Sequence, residues 1–172
     1  MLNLSDLAKG LPAITSSFGQ YLAEAGAVCL ESQGHQQGRI LDVQGEQPQQ
    51  YPIYWPHVTD QLSRCLNDPD EATEYGAVGI AVLITKKLVG YSVVDRSRKG
   101  TGFDYWLGDE AGVPFQNKAR LEVSGIRNGD EKALKSRVNK KLRQTDPSDS
   151  TGLPAYIVVV EFGRPVVEVR KK

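Results

Sequence analysis

The spacing of apolar residues divides the first part of the chain into short elements. Apolar residues three and four positions apart predict a helix over residues 16–32. Two alternating segments, 39–44 and 50–55, flank a stretch rich in Gly, Gln and Pro and predict a hairpin. A short helix is expected over 59–66. Residues 1–69 should therefore form an accessory layer of helix and hairpin.

The next segment is apolar on almost every side and fits two structures. Residues 75–84 can form a buried helix, or one strand of a hairpin that turns at Lys86 and Lys87. The length of the run favours the helix. Asp70 as the N-cap, near the positive end of the helix dipole, also supports a helical start.

Strand patterns dominate the second half of the chain. The predicted strands are 91–96, 102–107, 120–126 and the continuously apolar 155–162. An amphipathic helix over 130–144 separates the last two of them. Residues 165–172 are expected to end the chain as an edge strand or a tail.

These elements predict one α/β domain over residues 1–172, with a mixed central sheet flanked by helices and a core over 70–172. The 21 basic and 21 acidic residues balance, so attraction to nucleic acid has to come from a local patch. The sequence contains neither a signal peptide nor an apolar run near the membrane-spanning length of about 18 residues. With only two cysteines and no metal-ligand spacing, a cytoplasmic protein without membrane contact is expected.

Two carboxylates stand out because they interrupt apolar strand patterns. Asp104 and Glu122 have aromatic or aliphatic neighbours, and a carboxylate that is removed from water needs a partner. Side chains alternate along a strand, so Glu122 and Ser124 share a face. A structural alternative is an ion pair with Arg120.

The element order from residue 71 to residue 162 is helix, three strands, helix and strand. Together with the acidic residues it resembles the PD-(D/E)xK nuclease superfamily, which has a restriction-endonuclease-like αβββαβ core. The matching positions are Glu74 (or Glu71) on the first helix, Asp104, and Glu122 followed two residues later by Ser124. Ser124 stands where the family has Lys.

The resemblance implies hydrolysis of DNA or RNA phosphodiesters with Mg²⁺ (or Mn²⁺) held by Asp104 and Glu122, while Glu74 reaches in from the helix. Ser124 can position water but supplies no cation. Lys141 lies on the inward stripe of the helix over 130–144 and is the predicted replacement. In the alternative, its stem packs on the sheet and its ammonium extends to water.

Five further polar side chains are predicted to contact nucleic acid: Arg96, Arg98, Lys99, Arg137 and Gln144. DNA is expected ahead of RNA, and a protein partner or a second copy of the chain is a further candidate. The sequence lacks a Ser or Cys nucleophile with a matching His and lacks a glycine-rich nucleotide loop. The alternative function is a nuclease-like fold without catalysis that binds nucleic acid or assembles with proteins, for example in a bacterial defence or mobile-element system.

Overall fold

Eight strands form one mixed sheet in the computed structural model, which describes residues 1–172. The strands are β1 (Leu2–Asn3), β2 (Arg39–Gly45), β3 (Gln49–Tyr54), β4 (Ser92–Arg96), β5 (Tyr105–Gly108), β6 (Ala119–Ile126), β7 (Ala155–Glu161) and β8 (Val166–Lys171). Their order across the sheet is β1-β3-β2-β8-β7-β6-β5-β4. The predicted α/β fold with a mixed, helix-flanked sheet is confirmed.

Helices cover both faces of this sheet. They are α1 (Ser16–Ser32), α2 (Asp60–Cys65), α3 (Pro69–Val89) and α4 (Glu131–Gln144), and two 3₁₀ helices span Leu4–Lys9 and Asp146–Thr151. Because side chains alternate along β6 and β7, the core divides into a large cluster with α1 and α3 on one face and a smaller cluster with α4 on the other. None of the helices combines the length and hydrophobicity needed to cross a membrane.

The ambiguous apolar segment is helical. The Asp68 side chain accepts hydrogen bonds from the backbone of Asp70 and Glu71, so the N-cap lies two residues before the predicted one. The helix continues past Lys86 and ends at Gly90, whose φ of 81° suits a glycine C-cap. The hairpin alternative is therefore wrong. This helix is apolar all round because α1 covers one side of it and the sheet covers another.

The C-terminal segment is neither an edge strand nor a tail. β8 pairs antiparallel with β7 on one side and parallel with β2 on the other, where Asp42 lies opposite Val166. The prediction was wrong because the hairpin β2–β3 joins the outer edge of β8 and buries it. The predicted N-terminal helix and hairpin are both present, and the hairpin extends the main sheet.

The sheet is open beside the second half of β6. β5 pairs only with Ala119, Arg120 and Leu121, and the following residues of β6 have β7 as their single neighbouring strand. Asp104 precedes β5, although it was predicted to lie within a strand, and its N–H still donates to the Leu121 carbonyl, at 2.9 Å. The resulting gap between α3 and α4 contains the candidate site.

Candidate active site

A polar cleft of about 490 Å³ occupies this gap. Its floor is the open part of β6, one wall is the N-terminal half of α3, and the other wall is α4. Gly125 allows β6 to approach α3 closely, because a Cβ at this position would lie 2.5 Å from the Thr73 carbonyl oxygen. Of the predicted site residues, Glu74, Asp104, Glu122, Ser124, Lys141, Arg96, Arg137 and Gln144 all line the cleft.

Glu122 is the most buried charged group of the cleft, with only 1% of its side chain exposed. One carboxyl oxygen, Oε1, accepts hydrogen bonds from Lys141 Nζ at 2.6 Å and from Gln144 Nε2 at 2.8 Å. The other oxygen, Oε2, is buried and has no hydrogen-bond partner. A buried oxygen without a donor is costly for an ionised carboxylate.

The surroundings of Glu122 favour its neutral form. Burial raises the pKa of the Glu122 carboxyl from 4.5 to about 7, and the negative charge of Asp104 acts in the same direction. The ammonium of Lys141 opposes this rise in pKa but does not cancel it. Near neutral pH, the Glu122 carboxyl therefore exists in both its protonated and its ionised form.

Asp104 is fixed beside Glu122 by the backbone of β6. Its Oδ2 accepts a hydrogen bond from the Val123 N–H at 2.9 Å, which replaces the strand partner that β6 lacks at this point. The sequence analysis brought these two carboxylates together, and the structure does the same. Arg120 takes no part in this pair. It is buried, and it donates to the segment after α4, including Ser148 Oγ at 2.7 Å.

Lys141 extends to the carboxyl pair and not to bulk water. Lys141 and Gln144 lie on the last turn of α4, and both side chains contact Glu122. The inward stripe of the helix predicted this direction for Lys141. The Lys141 side chain is only 18% exposed, which excludes the alternative in which its ammonium extends into solvent. Its role in catalysis stays a prediction.

The Ser124 hydroxyl is hydrogen-bonded to a second cationic side chain of α4. Arg137, one turn before Lys141 on α4, donates from Nη1 to Ser124 Oγ at 2.8 Å and to the Gly125 carbonyl at 3.2 Å. Two cations from α4 therefore occupy the neighbourhood of Ser124 and Glu122, where the resembling family has one Lys on the strand. The sequence analysis assigned Arg137 to nucleic-acid contacts only, because a helix edge gives no sign of which strand residue it will meet.

Some of the predicted residues do not lie with the carboxyl pair. Glu74 lines the α3 wall but is exposed, and no group of three or more His, Cys, Asp or Glu side chains is placed to hold a metal ion. Arg96 lines the cleft and donates from Nη1 to the Tyr105 hydroxyl at 2.6 Å. Arg98 and Lys99 are exposed in the loop between β4 and β5, outside the cleft wall.

Two charged residues of the cleft were not predicted as site residues. Asp70, predicted only as a helix cap, lies on the α3 wall, and Arg127 lies at the end of β6. The Arg127 guanidinium donates to Ser32 Oγ at 2.8 Å and so ties the cleft to the C-terminal end of α1. The contact depends on where the C-terminal end of α1 lies relative to the residue that follows β6, so no sequence signal was available for it.

The residues present suit a small, hard divalent cation. Mg²⁺ prefers one or two carboxylates and keeps several waters, so Asp104 and Glu122 with the unpartnered Oε2 provide a suitable donor set without a third acidic residue. Comparison with known proteins adds no support, since no family model, curated protein or solved structure matches the chain.

Proposed function

We propose that this protein is a nuclease that hydrolyses phosphodiester bonds of nucleic acid with Mg²⁺ or Mn²⁺ held by Asp104 and Glu122. The observation that carries the proposal is the pairing of buried Glu122 with half-buried Asp104 in an open, polar cleft, with the Lys141 ammonium 2.6 Å from one Glu122 oxygen. Buried acidic pairs with a cation and solvent access are typical of catalytic sites. A cytoplasmic location belongs to the same proposal, because both cysteines are free.

In this proposal, each polar side chain of the cleft has its own role in hydrolysis. Glu122 and Asp104 would hold a divalent ion, which would supply Lewis-acid stabilisation of the phosphate and lower the pKa of a bound water. Glu122 would have to give up its proton to bind the ion. Lys141 supplies the positive charge that Ser124 cannot supply, and the Ser124 hydroxyl, oriented by Arg137, is available to position water. Arg96 provides a further cation for substrate phosphate.

A second candidate is a nuclease-like module that binds nucleic acid without cleaving it. Two observations favour it: Ser124 stands where the family has Lys, and Glu74 is not gathered with the carboxyl pair. In this case Lys141 and Gln144 would be permanent structural partners of Glu122, with Lys141 neutralising its charge and Gln144 donating a hydrogen bond to it.

Cleavage assays decide between the two candidates. Labelled duplex DNA, single-stranded DNA, branched DNA and RNA are incubated with the protein and Mg²⁺ or Mn²⁺. We expect wild type to cleave at least one substrate, and Asp104→Asn to lose that activity. The matched control is Asp95→Asn, an exposed aspartate on β4 outside the cleft wall, which should cleave normally. Absence of cleavage by wild type on every substrate would favour the binding module.

A further inference from the structure

The outer face of α4 carries more positive than negative charge. Of the fourteen residues of this helix, six are Lys or Arg, and the single acidic residue is Glu131. Lys132, Lys140 and Arg143 are exposed and take part in none of the salt bridges. Lys135 differs from them because it pairs with Glu131, at 3.3 Å.

Many cations elsewhere on the surface have acidic partners. Lys9 pairs with Asp6 at 2.7 Å, Lys172 pairs with Asp146 and Asp149, and Lys86 pairs with Glu110. The chain as a whole is neutral, with 21 residues of each sign. Unpaired cations also occur elsewhere on the surface, but α4 concentrates three exposed ones, Lys132, Lys140 and Arg143, on a single helix.

Helix stability does not explain the pattern. Cations near the C-terminal end of a helix interact favourably with its dipole, which accounts for Lys140 and Arg143. Lys132 lies in the first turn, where a cation is unfavourable. Lys140 and Arg143 are also three residues apart on one side of the helix, a spacing at which like charges repel.

The loop between β4 and β5 extends the same basic surface. Gly102 packs against the last turn of α4, because a Cβ at that position would lie 2.0 Å from the Gln144 carbonyl oxygen. Arg98 and Lys99 are exposed at the tip of this loop and also lack acidic partners. We call Lys132, Lys140, Arg143, Arg98 and Lys99 the basic face. It adjoins the cleft, since the inner side of the same helix turn presents Lys141 and Gln144 to Glu122.

The chemistry of this surface selects a polyanion as its partner. The shallow groove on the outer side of α4 has no hydrophobic residue in its lining, which consists of Glu131, Lys132, Lys135, Ser136, Asn139 and Arg143. Protein interfaces need apolar or aromatic anchors at their centre, which this groove lacks. Contacts with the nucleic-acid backbone are made by Lys, Arg, Ser and Asn side chains and need no apolar anchor.

We propose that the basic face binds the sugar–phosphate backbone of nucleic acid outside the scissile bond, and so holds the substrate over the cleft. This inference deepens the proposed nuclease function. It also stands if the protein binds nucleic acid without cleaving it, because the contacts involve neither the carboxyl pair nor a metal.

The test measures the salt dependence of binding in EDTA, where cleavage does not occur. Fluorescence anisotropy with a labelled duplex DNA gives the dissociation constant at several salt concentrations for wild type and for the triple variant Lys132→Gln, Lys140→Gln, Arg143→Gln. Each lost phosphate contact reduces the slope of log affinity against log salt by about 0.9. We expect the slope of the triple variant to be smaller by about 2.7 if all three contacts are lost.

A second triple variant controls for the change in net charge. Arg39, Lys87 and Lys171 are exposed, lack acidic partners and belong to neither α4 nor the loop between β4 and β5, so Arg39→Gln, Lys87→Gln, Lys171→Gln removes the same charge elsewhere in the chain. This variant should bind with nearly the wild-type slope. Equal losses in both triple variants would show a general charge effect and overturn the proposal.

Three other outcomes would also overturn it. The first is an unchanged slope in the α4 variant, and the second is absence of nucleic-acid binding by wild type. The third is that Lys132, Lys140 and Arg143 bind an acidic peptide or an anionic vesicle more tightly than they bind nucleic acid. Binding through the basic face without any cleavage would refute the nuclease function and leave this inference standing. Cleavage by wild type together with an unchanged slope in the α4 variant would support the nuclease function and refute binding through the basic face.

Discussion

Burial of Glu122 should make the stability of the protein depend on pH in a defined window. The perturbation is Glu122→Gln, which keeps the shape of the side chain and removes its titration. In the folded protein the pKa of the Glu122 carboxyl is raised from 4.5 to about 7, chiefly by burial. A group with a raised pKa contributes stability that is fully present below its unfolded value and is lost as the pH rises through its folded value.

The size of the loss follows from the shift. One pKa unit corresponds to about 1.4 kcal/mol, so the rise of the Glu122 pKa to about 7 amounts to about 3 kcal/mol. Because the side chain is only 1% exposed, solvent screening does not reduce this figure much. Between pH 4.5 and pH 7, wild type should therefore lose about 3 kcal/mol of unfolding free energy relative to Glu122→Gln.

Urea denaturation in EDTA across this pH range measures the difference. The control is Glu74→Gln, which removes an exposed carboxylate from the same cleft and should give a difference that is small throughout. In a Lys141→Met background the loss should be larger, because Lys141 holds the pKa of Glu122 down. A constant difference between wild type and Glu122→Gln over the whole range would refute the claim that the fold desolvates this carboxyl.

Two further predictions concern the groups around the pair. Lys141→Met should fold normally and lose cleavage activity by roughly a hundredfold or more, since one preorganised charge is removed. Lys135→Met removes an exposed lysine of the same helix and should cleave nearly as wild type does. Equal activity in both variants would refute the role of Lys141. Gly102→Ala should lower the unfolding free energy in urea by about 2 kcal/mol or more, because its Cβ would lie 2.0 Å from the Gln144 carbonyl oxygen at a φ of +83°. Gly100→Ala has a φ of +96° but no atom within 4 Å, so it should cost only about 1 kcal/mol, and equal losses would show that the contact with α4 is unimportant.

Local patterns were sufficient to predict most of the elements. The amphipathic stripe of α4 and the apolar run of β7 each identified an element, because burial on one face or on both faces leaves a distinct period in the sequence. The position of β8 was not predictable in this way. Its neighbour β2 lies more than a hundred residues earlier in the chain, and pairing over such a distance leaves no local signal.

The carboxyl pair was predictable for a different physical reason. Asp104 and Glu122 are polar residues in apolar surroundings, which the sequence shows directly. Lys141 was predictable because helical geometry directs it toward the sheet. The contacts of Arg137 with Ser124 and of Arg127 with Ser32 depend on how helices are placed against β6, so they emerged only from the structure.

The proposed nuclease activity requires that Asp104 and Glu122 together hold a divalent cation. Titration calorimetry with Mn²⁺ at pH 8, where the raised pKa of Glu122 leaves its carboxyl mostly ionised, tests this on the protein alone and needs no substrate. We predict weak binding of one ion by wild type and loss of that binding in Asp104→Asn, with normal binding by Asp95→Asn. Equal Mn²⁺ affinity in wild type and Asp104→Asn would contradict the proposed site.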